Sequence, residues 1–166
     1  MFPSVKFGAL GKALGVAYVD VMKVYLDACC WSRPFDDQAQ SRIRLEAEAV
    51  LSIIISSKIG DFMLAASDVI EFELSGIANP DKLEKIYALY SAAREKLLYT
   101  EATGIRALFF QRQGVKPLDS LHLALAEEYR QDILLTTDDA FIAAAKKSGA
   151  GVSVANPIAW LMKEAL

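Results

Sequence analysis

Cysteine is scarce in this chain: two among 166 residues, Cys29 and Cys30, side by side. Adjacent cysteines rarely bridge each other without strain, and two cysteines make no disulfide framework. Structural zinc is excluded as well, since its ligand pairs are separated by two or more residues. The expectation is a reducing, cytoplasmic compartment, with both thiols acting as small, partly buried residues after a strand. Histidine is scarcer still, with His122 alone. No apolar run reaches the roughly 18 residues of a membrane span, so no membrane is expected among the partners. Phe7 to Val19 comes nearest, but Gly8, Gly11, Lys12 and Gly15 interrupt it and a strong basic leader is missing. Nor is there an excess of positive charge. Lys and Arg total 18 against 21 Asp and Glu, a formal net charge of −3, which on its own argues against a strongly basic nucleic-acid binder.

What is present is enough for one full-sized core. Hydrophobic residues make up 54% and charged residues 23%, the balance of a folded soluble domain rather than a disordered chain. Met22 opens the string M-K-V-Y-L-D-A-C-C, which reads as a protein start running into a first strand. Residues 1–21 are therefore expected to be an N-terminal extension or a mis-assigned start, and residues 22–166 a single domain.

Short apolar segments alternate with helical ones. Strands are expected at Lys23–Asp27, Phe62–Ala66, Ile133–Thr136 and Val152–Val154. After Arg33-Pro34-Phe35-Asp36-Asp37, read as a loop, Asp36 or Asp37 is expected to cap a helix. Ile43, Ala47, Val50, Leu51 and Ile54 give that helix an apolar face, and Arg42, Arg44, Glu46 and Glu48 its polar one. Asn79-Pro80 starts another helix, expected to run through Tyr87, Tyr90 and Leu97, with a brief extended segment at its end. Thr100-Glu101, Pro117 and Asn156-Pro157 open three more. The alternation predicts an α/β fold, a three-layer α/β/α sandwich around a central, mainly parallel sheet.

In open parallel sheets, ligands bind beyond the carboxyl ends of the strands. Asp27 and Asp138 fall there directly. Glu73, in the helix after the second strand, and Asp119, just after Pro117, are candidates on the same edge. Each acid singly suits a helix cap or dipole partner, worth about 0.3–1 kcal/mol. Together they would repel one another unless a divalent cation lay among them, and hard oxygen donors suit Mg²⁺ or Mn²⁺. Metal-assisted phosphodiester hydrolysis is the matching chemistry. Spacing alone does not choose between Glu71 and Glu73, or between Asp138 and Asp139.

Four segments in order carry a resemblance: V-Y-L-D ending at Asp27, S-D-V-I-E-F-E-L from Ser67, L-D-S-L-H-L-A-L-A from Leu118, and L-L-T-T-D-D-A-F from Leu134. The chain from Met22 onward resembles a PIN domain, the nuclease fold of VapC-like toxins in type II toxin–antitoxin systems. The resemblance implies a metal-dependent endoribonuclease acting on RNA, a cognate antitoxin partner and a homodimer. It selects Asp27, Glu73, Asp119 and Asp138 as catalytic metal ligands, with Thr136 positioning a water or an acid. A non-catalytic PIN module that binds RNA or a protein is the alternative. A haloacid-dehalogenase-type phosphatase is disfavoured, because Asp27 is followed by Ala28-Cys29 rather than completing D-x-D. The loop with R-P-F-D-D and the N-terminal extension depart from the better-known toxins.

Arg33, Arg42 and Arg44 are expected to reach RNA phosphates, or else to form salt bridges on a solvated helix face. Trp31 and Phe35 suit base stacking, but packing of their loop is the simpler expectation. His122, three residues after Asp119, is read chiefly as a hydrogen-bonding group rather than a general base or ligand. Tyr87, Tyr90 and Leu97 form either a dimer face or core. With the four acids neutralised by metal, the formal charge of −3 becomes +1, and RNA can approach.

Overall fold

A computed structural model describes residues 21–164 of the chain. The expected extension, residues 1–21, lies outside the described residues except for Val21. Five strands form one sheet: β1 (Met22–Leu26), β2 (Phe62–Ser67), β3 (Glu95–Leu97), β4 (Ile133–Leu135) and β5 (Ser153–Ala155). Their order is β3-β2-β1-β4-β5, and every neighbouring pair is parallel. Parallel strands need crossovers, and the intervening segments supply them as helices on a three-layer α/β/α plan. They are α1 (Ala28–Ser32), α2 (Ser41–Ile59), α3 (Asp68–Leu74), α4 (Pro80–Tyr90), α5 (Glu101–Arg112), α6 (Pro117–Glu128), α7 (Asp139–Lys147) and α8 (Pro157–Glu164).

The order has a functional consequence. From β1 the chain steps outward to β2 and β3, then returns across β1 to place β4 and β5 on the other side. The reversal makes a crevice between the carboxyl ends of β1 and β4, the usual ligand position in such sheets. The central strands are fully buried, from Val24 to Leu26 and at Leu134 and Leu135, so both walls of that crevice are anchored in the core.

Several local expectations change. The Arg33–Phe35 segment forms a single 3-10 turn directly after α1 instead of an open loop. Neither Asp36 nor Asp37 caps α2; its N-cap is Gln40, and Asp36 is drawn instead to Arg33 and Lys82, at 3.1 and 2.8 Å. The α2 helix ends where Gly60 takes φ 98°, a left-handed conformation that glycine adopts without a Cβ penalty. Helix α4 stops at Tyr90 rather than continuing to Leu97, which lies on β3. Tyr90 and Leu97 are buried, so only Tyr87 of the expected stripe is exposed.

Trp31 belongs to the core. It is fully buried, its ring meets Tyr90 edge-on at 5.1 Å, and its Nε1 donates to the Leu26 carbonyl. Among the described residues, no helix is long and apolar enough to cross a membrane.

Candidate active site

Asp27 follows β1 immediately and starts α1 without capping it, so its carboxylate is left for other partners. The side chain is 6% exposed. Its Oδ2 accepts from Thr136 Oγ1 at 2.7 Å and from Cys29 Sγ at 3.2 Å. Its Oδ1 lies 3.5 Å from His122 Nε2. Thr136, just past β4, is fully buried and joins the two strand ends. Its hydroxyl donates to Asp27 and accepts the backbone N–H of Asp138 at 3.2 Å.

Asp138 has two roles. Oδ1 caps α7, accepting from Ala140 and Phe141 at 2.8 and 3.0 Å, and Oδ2 faces Lys116 Nζ at 3.7 Å. Asp139, the neighbouring candidate, pairs with Arg42 at 2.7 and 2.8 Å. Glu71 is likewise engaged, by Lys96 on β3 at 2.8 and 2.9 Å. Glu73, two residues on, turns to His122, with 2.5 Å between Oε2 and Nε2.

Asp119 sits in the first turn of α6 and takes no hydrogen bond among the described residues. Its carboxyl is pushed up to about 6: burial disfavours the charge, and the Asp27 and Asp138 charges add repulsion. Three of the expected acids thus feel one another across the crevice, while Glu73 reaches Asp27 through His122.

Burial alone would push the His122 ring down, but Asp27 and Glu73 outweigh it and hold the ring above its usual value. Asp27, Glu73 and His122 offer ligand atoms within 4.8 Å of one another. Carboxylate oxygens in that spacing, with a further carboxyl that lacks a donor, fit a hard divalent cation.

The expected phosphate-binding arginines are mostly engaged elsewhere. Arg33 Nη1 meets Asp36, and its Nη2 donates to the Thr137 hydroxyl. Its Nε lies 3.0 Å from Glu46 Oε2, without the alignment of a hydrogen bond. Glu46 was expected on the polar face of α2, yet it is 1% exposed. It also takes Arg42 Nε at 2.9 Å and Asn156 Nδ2 at 2.8 Å. Arg33 and Arg42 therefore brace the segment that carries Thr136 and Asp138. Arg44 is exposed and forms no ion pair among the described residues.

Two groups escaped the sequence reading. Lys116 is the described lysine paired with one of the four acids. Its signal was a place three residues before Asp119, at the start of the same helix. Tyr25, within an apolar strand, gives no sign in the sequence that its hydroxyl meets His122 Nδ1 at 2.7 Å.

The family model described as PIN domain matches residues 24–147. No curated protein matches the chain. Among solved structures, PAE2754 from Pyrobaculum aerophilum is similar at 15% identity with a TM-score of 0.54, over 87% of this chain and 90% of that one. A chain of VapBC2 from Rickettsia felis, solved bound to a DNA fragment from their promoter, is similar at 10% identity with a TM-score of 0.55. That match covers 81% of this chain and 98% of the other. At these identities the two structures speak to the fold.

Proposed function

The chain belongs to the PIN domain family, and on that premise we propose that it is a Mg²⁺- or Mn²⁺-dependent endoribonuclease that cleaves phosphodiester bonds in RNA. The observation that carries the reading is the joining of Asp27 and Asp138 through Thr136 at the crevice between β1 and β4. Asp119 facing both charges supports it.

Asp27, Glu73, Asp119 and Asp138 would hold the cation. Such an ion supplies charge for the phosphate oxygens and an activated water at neutral pH. The chain's own contribution is placement. Thr136 holds one oxygen of Asp27 with its hydroxyl proton, and the α7 N-terminus holds one oxygen of Asp138. Each acid keeps a second oxygen without a hydrogen bond among the described residues, Asp27 Oδ1 at 3.5 Å from His122 and Asp138 Oδ2 at 3.7 Å from Lys116. Lys116 and Arg44 are the exposed cations suited to an approaching phosphate backbone.

The likeness to a VapBC2 chain supports a further step: a toxin of a type II toxin–antitoxin pair, held by a cognate antitoxin in the cytoplasm. Residues 22–166 would be its single nuclease domain, and a homodimer its working form. Exposed apolar residues for such contacts lie on Leu98, Tyr99, Ile105 and Leu108, and separately on Ile55, Ile59 and Met162.

The test is cleavage of single-stranded RNA by purified protein with Mn²⁺. Asp27→Asn and Asp138→Asn should each abolish cleavage, a loss of at least about 100-fold, while circular dichroism shows the fold intact. Undiminished cleavage by both variants overturns the proposal.

A further inference from the structure

His122 lies with two acids in a group whose spacing would suit a metal ligand. The hydrogen bonds around it give a different role. We propose that His122 is a positioning residue, whose Nε2–H fixes Glu73 and whose ring is fixed in turn by Tyr25, and that it does not ligate the metal. The inference rests on the nuclease reading and specifies how its site is held.

Glu73 Oε2 lies 2.5 Å from His122 Nε2, and since a carboxylate oxygen accepts, the pair is made by the tautomer with its proton on Nε2. A nitrogen that carries that proton has no lone pair for a metal. The other ring nitrogen, Nδ1, is occupied by the Tyr25 hydroxyl at 2.7 Å, deep in the core. Tyr25 Oη in turn meets Ser67 Oγ at 2.8 Å, and Ser67 Oγ accepts the backbone N–H of Ile70 at 3.0 Å. One direction satisfies every group: Ser67 donates to Tyr25, Tyr25 to Nδ1, and Nε2 to Glu73. The reverse direction leaves the buried Ser67 hydroxyl proton without an acceptor, at a cost of about 1–3 kcal/mol. In the reverse direction Nδ1 carries a proton, and Nε2 then donates to Glu73 only if the ring is doubly protonated. His122, Tyr25 and Ser67 are all at most 1% exposed, so the links among these three are shielded from bulk water.

The chain of bonds connects the elements that carry the acids. Tyr25 is two residues before Asp27 on β1. Ser67 caps α3, which holds Glu73 in its last turn. His122 is one turn beyond Asp119 on α6. One buried strut therefore spaces three of the four acids, as the outer hydrogen-bonding partners of metal sites commonly do, and such partners are worth about 10- to 100-fold in metal affinity.

Two measurements on the full chain test this. Pulsed electron paramagnetic resonance of the Mn²⁺-loaded wild type should show no coupling from a directly bound imidazole nitrogen; such coupling would overturn the inference. Calorimetry should show Mn²⁺ affinity falling about 10- to 100-fold in Tyr25→Phe and in His122→Leu, and largely restored in His122→Gln, whose side-chain amide keeps a donor for Glu73. Tyr25→Phe binding Mn²⁺ as tightly as the wild type overturns the inference while leaving the nuclease reading in place. A wild type that binds no Mn²⁺ and cleaves no RNA overturns both. Because the resonance measurement uses the unaltered chain, it decides the ligand question even where a variant fails to fold.

Discussion

Asp119 is ionised at neutral pH against its surroundings. Its folded-state value of about 6 stands above the ordinary aspartate value because of burial and the charges of Asp27 and Asp138, with smaller relief from Lys116 and His122. Between about pH 4 and 6 the folded chain therefore keeps a proton that the unfolded chain has released. The stability linked to that proton is fully present below about pH 4 and is lost as pH rises through about 6. After allowance for solvent at a partly buried site, the difference is on the order of 2 kcal/mol. Asp119→Asn should then raise the melting temperature of chelator-treated protein at about pH 7.5, by roughly 4–8 °C. The gain should vanish near pH 4, where Asp119 is itself neutral. Mn²⁺ should stabilise the wild type more than the variant. A variant that melts below the wild type in chelator at pH 7.5 would show that Asp119 is not under this strain. At this scale the positions of Asp27 and Asp138 beyond the ends of β1 and β4 were legible, although a cap suffices for either acid singly and Asp138 does cap α7. Tyr25 and Lys116 were not legible, since the contacts that define them come from elements 97 and 22 residues away.

Helix α2 and the turn before it show how an element hides a structural charge. Counting at helical spacing places Glu46 beside Arg42 and Glu48 on a polar face, but the 3-10 turn folds Arg33 over that position. Asn156 and Arg42 close the remaining sides. Pattern reading assigns a face by composition; here the neighbour that buries the face arrives from outside the helix. The same limit explains the misplaced end of α4, where the turn after Tyr90 feeds β3 rather than extending the helix. Glu46 is the described acid facing both Arg33 Nε and Asn156 Nδ2, so Glu46→Ala leaves the Arg33 charge without its buried partner and the Asn156 amide without its acceptor. Removing one partner of a buried pair costs about 3 kcal/mol at the low end, which suits arginines that still reach solvent. The melting temperature should fall by roughly 6–12 °C. Arg44→Ala, on the exposed side of the same helix, should change stability by less than about 0.5 kcal/mol. Equal melting of Glu46→Ala and the wild type would show that the brace carries no stability.

For the whole molecule, the parallel sheet and the side of the crevice follow from the alternation of strands and helices, and both were legible. Which surfaces remain for partners was not, because exposure depends on how every layer packs. The expected dimer stripe dissolved when Tyr90 and Leu97 proved to be core, and among the apolar residues left outside, Leu98, Tyr99, Ile105, Leu108 and Phe109 lie on α5 or just before it. Leu98 is 52%, Ile105 65% and Leu108 53% exposed. Ile105 and Leu108 are one helical turn apart, and with Tyr99, Pro117 and Leu121 they line an open groove. A surface of this kind on a folded monomer is a site for association. If a second copy covers it, light scattering at micromolar concentration should give twice the chain mass. Ile105→Glu with Leu108→Glu should give the chain mass alone, because the two added charges per copy would meet across the contact. The same pair lies outside the core and should change the stability of a monomer by less than about 1 kcal/mol. A wild type that is monomeric throughout, or a variant that stays dimeric, would place the contact elsewhere. RNA cleavage by the monomeric variant would show in addition that each copy carries a complete set of acids, which is the expectation when Asp27, Glu73, Asp119 and Asp138 all come from one chain.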